Sequence, residues 1–477
     1  MMKSCLLLAV ACSATLAACG GSDGTPPPPA GPATLNGTVA YVATECMDTL
    51  DGSTAHQQLR IIRGERPSTA VLDIPTLGAG SPAGACTALS LPRFGPFFIV
   101  IGAFQRLAVS PDGSNVVFEV TDAMSLLPLT PIPPEQQGIF IMRADGTGLR
   151  RLAPASREPT FRVAGEKTSQ INLFPGLAFS RNGEMVAYTD RGPGPNGEDA
   201  TQIFAVDLAT AQRTQLTHLP LTPAPDPLFL STCCPSFPDD ETVAFLSIAN
   251  PDGLNPNGDA AIFTVKVDGT GLKKLPVPMV APGSAIVPVF SITGPRPDAA
   301  LFFLPGDPVN NPGARGGIVE VFAVEGENLL QLTNFHRADT NTPLLATDLQ
   351  HVLFVASANP FGTNPTTNCQ VFSIDRNGAD LRQISSFSQG DTSNNGCFFG
   401  PPPGCAVAFL GQDQVTQTLV TYSSCDPLGA NPYGSQIFAM RQDGSGLRQL
   451  TKLGGVVVTD TSATVELPGP FGFSTEQ

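Results

Sequence analysis

One pattern constrains this chain more than any other: a branched aliphatic residue followed by Phe, at Ile139-Phe140, Ile203-Phe204, Ile262-Phe263, Val321-Phe322, Val371-Phe372 and Ile437-Phe438. Shortly after the Phe comes a turn built on Asp and Gly, clearest at Asp145-Gly146-Thr147-Gly148, Asp268-Gly269-Thr270-Gly271 and Asp443-Gly444-Ser445-Gly446. A short strand of one type follows, as in Leu149-Arg150-Arg151-Leu152 and Leu447-Arg448-Gln449-Leu450. Ahead of the Phe lies another strand pair around a second turn. Leu107 to Gly113 with Val116 to Phe118, and Leu177 to Gly183 with Met185 to Tyr188, are the best examples. Each unit is thus four short strands, a to d, with tight a–b and c–d turns in which Asp bonds its own backbone and Gly supplies positive φ.

A four-stranded meander of this size leaves two faces and two edges open, and becomes stable only when copies stack face to face. Six copies lie between Arg106 and Thr451. Thr38 to Ala43 and Gln58 to Leu72 read as strands b, c and d of a further unit that lacks its strand a. Val456 to Val458 and Ala463 to Leu467 are strands without a unit of their own. The expectation is an all-β fold: a single β-propeller of four-stranded blades, seven in number with six or eight as alternatives, whose ring is closed by the C-terminal strand pairing with the first blade. Gly 48 and Pro 47 in 477 residues suit many short strands and turns better than helices.

Ser110-Pro111-Asp112-Gly113, then Ile139-Phe140, then Asp145 to Leu152 resembles the WD-like propeller repeat of the TolB type, and Asp443 to Thr451 is close to that repeat's consensus. The resemblance implies the propeller fold and no single function.

The N-terminus reads as an address. Met1-Met2-Lys3 and an apolar run from Leu6 to Leu16 end in Leu16-Ala17-Ala18-Cys19-Gly20. This resembles the bacterial lipobox, which implies a lipoprotein signal peptide over residues 1–18 and lipid on Cys19. Gly rather than Asp at position 20 implies the outer membrane, with the domain in the periplasm. Residues 19–34 are then a Gly/Pro-rich tether and 35–477 the propeller. After Cys5, Cys12 and Cys19, eight cysteines remain: Cys46, Cys86, Cys233, Cys234, Cys369, Cys397, Cys405 and Cys425. An even set in an oxidising compartment suggests disulfides. Cys46–Cys86, Cys397–Cys405, Cys369–Cys425 and a vicinal Cys233–Cys234 are the favoured pairings. A net charge of −15 excludes a general affinity for nucleic acid.

In such blades the b–c loops and d–a connections share one face, opposite the tight turns. Here they are long, and the b–c loops repeat an Asn/Asp-Pro motif: Asn250 to Asp259, Asp307 to Gly313, Asn359 to Pro365 and Asp426 to Pro432. This face is the expected binding surface. Its candidates are Asp252, Asn255, Asn257, Asp259, His218 and His336. Asp252, Asn255, Asn257 and Asp259 offer oxygen ligands of the kind Ca²⁺ takes, but the spacing departs from the twelve-residue calcium loop. Turn chemistry is the reading adopted, with no metal or cofactor expected and no catalytic residue assigned. The functional expectation is a monomeric, lipid-anchored binding or scaffolding module for an envelope protein or glycan. The alternative is a hydrolase or lyase acting on polysaccharide at the channel mouth.

Overall fold

In a computed structural model, the described residues are 31–49, 52–77, 104–121, 132–157, 176–222, 231–258, 261–275, 289–291, 299–305, 319–326, 328–335, 340–345, 350–365, 369–387, 407–413, 415–423, 425, 427–428, 436–458 and 463–473. The signal segment, Cys19, Cys86, Asp259, His336, Cys397, Cys405 and the Asp307 loop lie outside the described residues. One compact unit runs from Pro32 to Gln477.

The first sheet contains β1 (Thr38–Thr49), β2 (Gly52–Arg63) and β3 (Thr69–Leu77). Six four-stranded blades follow. The first has β4 (Phe104–Val109), β5 (Asn115–Val120), β6 (Gly138–Arg143) and β7 (Arg150–Ala153), and the second β8 (Leu177–Phe179), β9 (Met185–Pro193), β10 (Asp199–Asp207) and β11 (Arg213–Gln215). The third has β12 (Thr232–Ser236), β13 (Thr242–Ser247), β14 (Ala261–Lys266) and β15 (Lys273–Lys274), and the fourth β16 (Val289–Ser291), β17 (Ala299–Pro305), β18 (Val319–Glu325) and β19 (Asn328–Gln331). The fifth has β20 (Thr340–Leu345), β21 (His351–Ala356), β22 (Gln370–Asp375) and β23 (Arg382–Gln383), and the sixth β24 (Val407–Gln412), β25 (Leu419–Ser423), β26 (Gln436–Met440) and β27 (Arg448–Gln449). The chain ends with β28 (Gly455–Val458) and β29 (Ala463–Phe473). All strands pair antiparallel with their neighbours in a meander, and the architecture is an all-β propeller with four-stranded blades.

Seven four-stranded blades were expected; among the described residues six are present, and the remaining sheet has five strands, in the order β28-β29-β1-β2-β3. The difference arises at the C-terminus. β29 takes the strand-a place beside β1, in register from Thr44 opposite Leu467 to Asp48 opposite Ala463, and β28 folds back on β29 as an extra edge strand. The two ends of the chain are therefore joined in one sheet, which covers the free edge of β1.

The repeated residues explain the repeated shape. At the first a–b turn, Asp112 Oδ1 accepts from Ser110 Oγ (2.5 Å) and the Ser114 amide (3.0 Å), and Ser110 Oγ accepts from the Asn115 amide (2.9 Å). Ser180 and Asn182 repeat this in the second blade, with 2.7 Å between the side chains and 2.9 Å to the Met185 amide. At the c–d turns, Asp145 and Asp268 each accept from the amide and hydroxyl of the Thr two residues on, within 2.9 Å. These bonds hold both carboxyls below their usual range. Strand-c Phe side chains stack on a strand-b aromatic directly opposite, with centroids 5.9 Å apart for Phe118–Phe140, 5.8 Å for Phe245–Phe263 and 5.7 Å for Phe354–Phe372. The stacks lie in clusters that join one sheet to the next. Val42 and Leu59 of the first sheet meet Leu107 and Phe118 of the first blade, and Val39 and Tyr41 meet Val420 and Ile437 of the sixth.

A second repeated device, a buried amide clamp, sits just ahead of the strand-c aliphatic residue. Gln202 Oε1 accepts from Thr217 Oγ1 (2.9 Å) and the Leu219 amide (2.7 Å), while its Nε2 donates to the Leu219 carbonyl (2.8 Å). Gln370 does the same with Ser385 and Phe387, and Gln436 with Thr451 and Leu453. In each case the hydroxyl also accepts from the next strand-c amide. Each clamp fastens the start of a d–a connection to its own blade, so the long connection leaves from a fixed point.

Candidate functional site: the long-loop face

The Asn-Pro loops are built as staples. Asn250 Oδ1 accepts from the Asn255 amide (2.7 Å), and buried Asn255 donates its Nδ2 to the carbonyls of Ile248 (3.3 Å) and Ala249 (3.2 Å). Two blades on, Asn359 Oδ1 accepts from the Asn364 amide (2.8 Å), and Asn364 Nδ2 donates to the Ala358 carbonyl (2.9 Å). An Asn five residues after an Asn-Pro thus turns back and closes the loop. Strand d adds a strut in both blades: Lys274 Nζ donates to Asn255 Oδ1 (3.0 Å), and Thr363 Oγ1 donates to Gln383 Oε1 (2.9 Å).

These contacts place some of the residues singled out in the sequence. Asn255 is an internal fastener, not a ligand at the surface. Asp252 and Asn257 are exposed on the same loop, and Asp252 adopts a left-handed φ of 51°. Among the described residues, no group of three or more His, Cys, Asp or Glu is placed to hold a metal ion. His218 Nδ1 lies 3.1 Å from Gln215 Nε2 and 3.2 Å from the Pro193 carbonyl. His56 lies within β2 opposite Glu45 and faces Asp73 at 3.5 Å; the strand pair β1–β2 is longer than its apolar pattern. His351 is on β21, 3.4 Å from Asp375. The described histidines therefore lie apart, His56 on the first sheet, His218 on the connection after β11 and His351 on the fifth blade.

Beside exposed polar groups such as Asp252 and Asn257, each described staple holds one large apolar side chain outward. Leu254 and Phe361, on the two described staples, are 40% and 50% exposed. Leu428 lies on the corresponding loop of the sixth blade, Met47 near the b–c end of the first sheet, and Leu221 on the connection after β11; all three are exposed. Large apolar side chains held in water can mark a partner surface; Leu149 and Val415, at tight turns of the opposite face, are exposed as well.

Sequence reasoning missed a buried ionic chain between the first two blades. Arg106 on β4 is 1% exposed, and its Nε lies 3.1 Å from Glu119 Oε2 on β5. Its Nη1 donates to the Thr189 carbonyl (2.9 Å), and Gly176 lets the guanidinium approach: a Cβ there would lie 3.1 Å from Arg106 Nε. Glu119 Oε1 accepts from the Ser156 amide (2.6 Å). Asp190 then accepts from the Arg157 amide (2.6 Å) and pairs with Arg213 (2.5 Å), whose guanidinium lies 3.7 Å from the Phe204 ring centre. Burial raises the Glu119 carboxyl above its ordinary range despite the opposing field of Arg106. Burial likewise pushes the Tyr188 hydroxyl up to about 12, although Arg213 donates to it. The only hint in the sequence was a charged residue inside each of two apolar strands.

The sulfurs of Cys233 and Cys234, neighbours on β12, lie at bonding distance, 2.12 Å, and Cys234 adopts a left-handed φ of 62°. Cys369 and Cys425 lie in one core cluster between the fifth and sixth blades.

No protein-family model matches the sequence, and a search of curated proteins finds no match. Among solved structures, a Pyrococcus horikoshii acylaminoacyl peptidase is 10% identical, with a TM-score of 0.47 over 89% of this chain and 53% of its own. A structure from a study of two prolyl endopeptidases is 11% identical, with a TM-score of 0.46 over 86% of this chain and 49% of its own. An oligogalacturonate lyase from Vibrio parahaemolyticus is 9% identical, with a TM-score of 0.43 over 89% of each chain. The chain spans about half the length of the two peptidase structures. The propeller assignment rests on the strand order described above.

Proposed function

We propose that this chain is a binding and scaffolding propeller of the bacterial envelope, held to the outer membrane by lipid on Cys19, with its domain in the periplasm and its long-loop face turned to a protein partner. In this reading the five-stranded sheet serves as a seventh blade and closes the ring. Cys46, Cys369 and Cys425 belong to disulfides suited to an oxidising compartment. The observation that carries the functional reading is the display of Leu254 and Phe361 on loops already fastened from within. An apolar tip on a rigid loop loses little freedom on binding and leaves water when covered, the two features that make a few side chains dominate an interface. A protein surface suits such tips better than a glycan, which needs polar groups opposite its hydroxyls.

Photo-crosslinking tests this in cells. A crosslinking residue at Phe361 or Leu254 is expected to capture one recurrent envelope protein, and the same residue at Asp145 or Asp268, on the tight-turn face, is not. Equal capture from both faces, or turnover of an envelope polysaccharide panel with no capture at Phe361 or Leu254, would overturn the reading.

A further inference from the structure

A cavity of about 520 Å³ lies on the opposite face, among the tight turns. Three sheets form its walls. The first contributes the entry to β1 and the β2–β3 turn, the first blade its a–b turn at Asp112, and the sixth blade its a–b turn at Asp413. The volume is that of a small-molecule site. Left-handed glycines keep the rim low: Gly64 at φ 56° and Gly113 at φ 69°.

The acids of this cavity are already engaged by donors of the fold. Asp413, 2% exposed, accepts at Oδ2 from the amides of Asn36 (2.5 Å) and Gly37 (2.6 Å), and at Oδ1 from those of Val415 (2.9 Å) and Thr416 (3.1 Å). Glu65 Oε1 accepts from the Leu35 amide (2.6 Å) and Arg448 Nη2 (2.7 Å). Asp112 is used by its own turn, at Ser110 (2.5 Å) and Ser114 (3.0 Å). The arginines are different. Arg63 and Arg66 line the cavity, both exposed, and among the described residues neither guanidinium makes a hydrogen bond or an ion pair. The charge of Arg63 acts on Asp145, whose carboxylate is taken by Thr147. The two arginines therefore offer ten uncommitted N–H groups on two planar forks (five per guanidinium), in a lining they share with Asp112, Asp413 and the Glu65–Arg448 pair. At a Debye length of about 8 Å in physiological salt, the distant part of the net negative charge does little to oppose them.

We infer that this cavity is a binding site for a small oligoanion, a polycarboxylate or a phosphorylated molecule, gripped by the forks of Arg63 and Arg66. Paired guanidiniums match both anion types by bidentate bonding. The site is independent of the long-loop face and of the partner proposed for it.

Isothermal titration of the full chain with citrate, inorganic pyrophosphate and neutral sucrose tests the inference. One equivalent of citrate or pyrophosphate is expected to bind saturably, weakened by added salt, with no sucrose binding. R63Q and R66Q are each expected to weaken binding about tenfold or more, the loss of a charge-assisted fork. R382Q, on the outer strand of the fifth blade, is the control and should bind as wild type. Both cavity arginines are exposed, so unchanged thermal melts are expected to accompany the loss. Binding of citrate alone identifies a carboxylate ligand, and of pyrophosphate alone a phosphoryl one. No saturable binding of either at millimolar concentration, equal binding of sucrose, or indifference to R63Q and R66Q would each overturn the inference.

Discussion

Replacing Asp413 is expected to loosen the chain at both ends of its sequence. The carboxylate is 2% exposed and receives four backbone amides, two from its own turn and two from Asn36 and Gly37, at 2.5 to 3.1 Å. The neighbouring N-terminal residues are fastened to the same blade: the Ala33 amide donates to the Gly446 carbonyl (2.8 Å), Arg448 Nε to the Ala33 carbonyl (2.5 Å), and Thr418 Oγ1 to the Thr34 carbonyl (2.5 Å). A hydrogen bond to a charged group contributes about 1.5–3 kcal/mol. The four are not additive, and the two in the exposed turn regain water when the carboxylate goes. D413A should therefore cost about 4 kcal/mol, close to the loss of two such bonds in full. D413N keeps one oxygen and turns an NH₂ towards two donors, and should recover less than half of that. Urea unfolding reads the total, as a midpoint lower by more than 1 M at m of roughly 3 kcal/mol/M. Hydrogen exchange reads the place, with faster exchange at Asn36 and Gly37. A D413A midpoint within about 0.3 M of wild type, with protection at Asn36 and Gly37 unchanged, would refute the reasoning.

Further outcomes follow from the same contacts. Glu119 has a raised carboxyl, so its contribution to stability is complete below its ordinary 4.5 and is lost as pH rises through the higher folded value; E119Q should flatten the decline of the urea midpoint with pH just above that point. R106M leaves Glu119 buried alone and should cost about 3–5 kcal/mol, much of it returned in R106M/E119Q, as a double-mutant cycle would measure. N255A and N364A remove the loop staples and should each cost about 1–2 kcal/mol, with limited proteolysis newly cutting at the affected loop. Deleting residues 455–477 removes β28 and β29, opens the edge of β1, and should give a chain that aggregates on expression, read by size-exclusion chromatography.

Much of the architecture was legible because blade chemistry is local. The side chains of a Ser-Pro-Asp-Gly turn bond to near neighbours, here among Ser110, Asp112, Ser114 and Asn115, so Ser110 to Gly113 announced its structure locally. The unpartnered strand at Ala463 to Leu467 was legible for a different reason: an apolar strand with no neighbour in sequence must find one in space. The amide clamps were present as a signal, Gln or Glu directly before the Ile-Phe or Val-Phe pair at 202, 320, 370 and 436, but their meaning depends on a hydroxyl 13 to 15 residues later. Asn255 was misplaced among the surface candidates because its side chain turns inward to carbonyls that precede it.

The order of residues was enough to specify repeated four-stranded sheets, their turns and the face that receives the long loops, since each follows from bonds between near neighbours and from the alternation of strands. Packing of whole sheets decided the rest. Asp413 meets Asn36 across 377 positions, Arg106 meets Thr189 in the adjacent blade, and β28 turns the end sheet into one of five strands. Such pairings are set by which surfaces come face to face once every sheet must bury its apolar side, and no local stretch of chain carries that information.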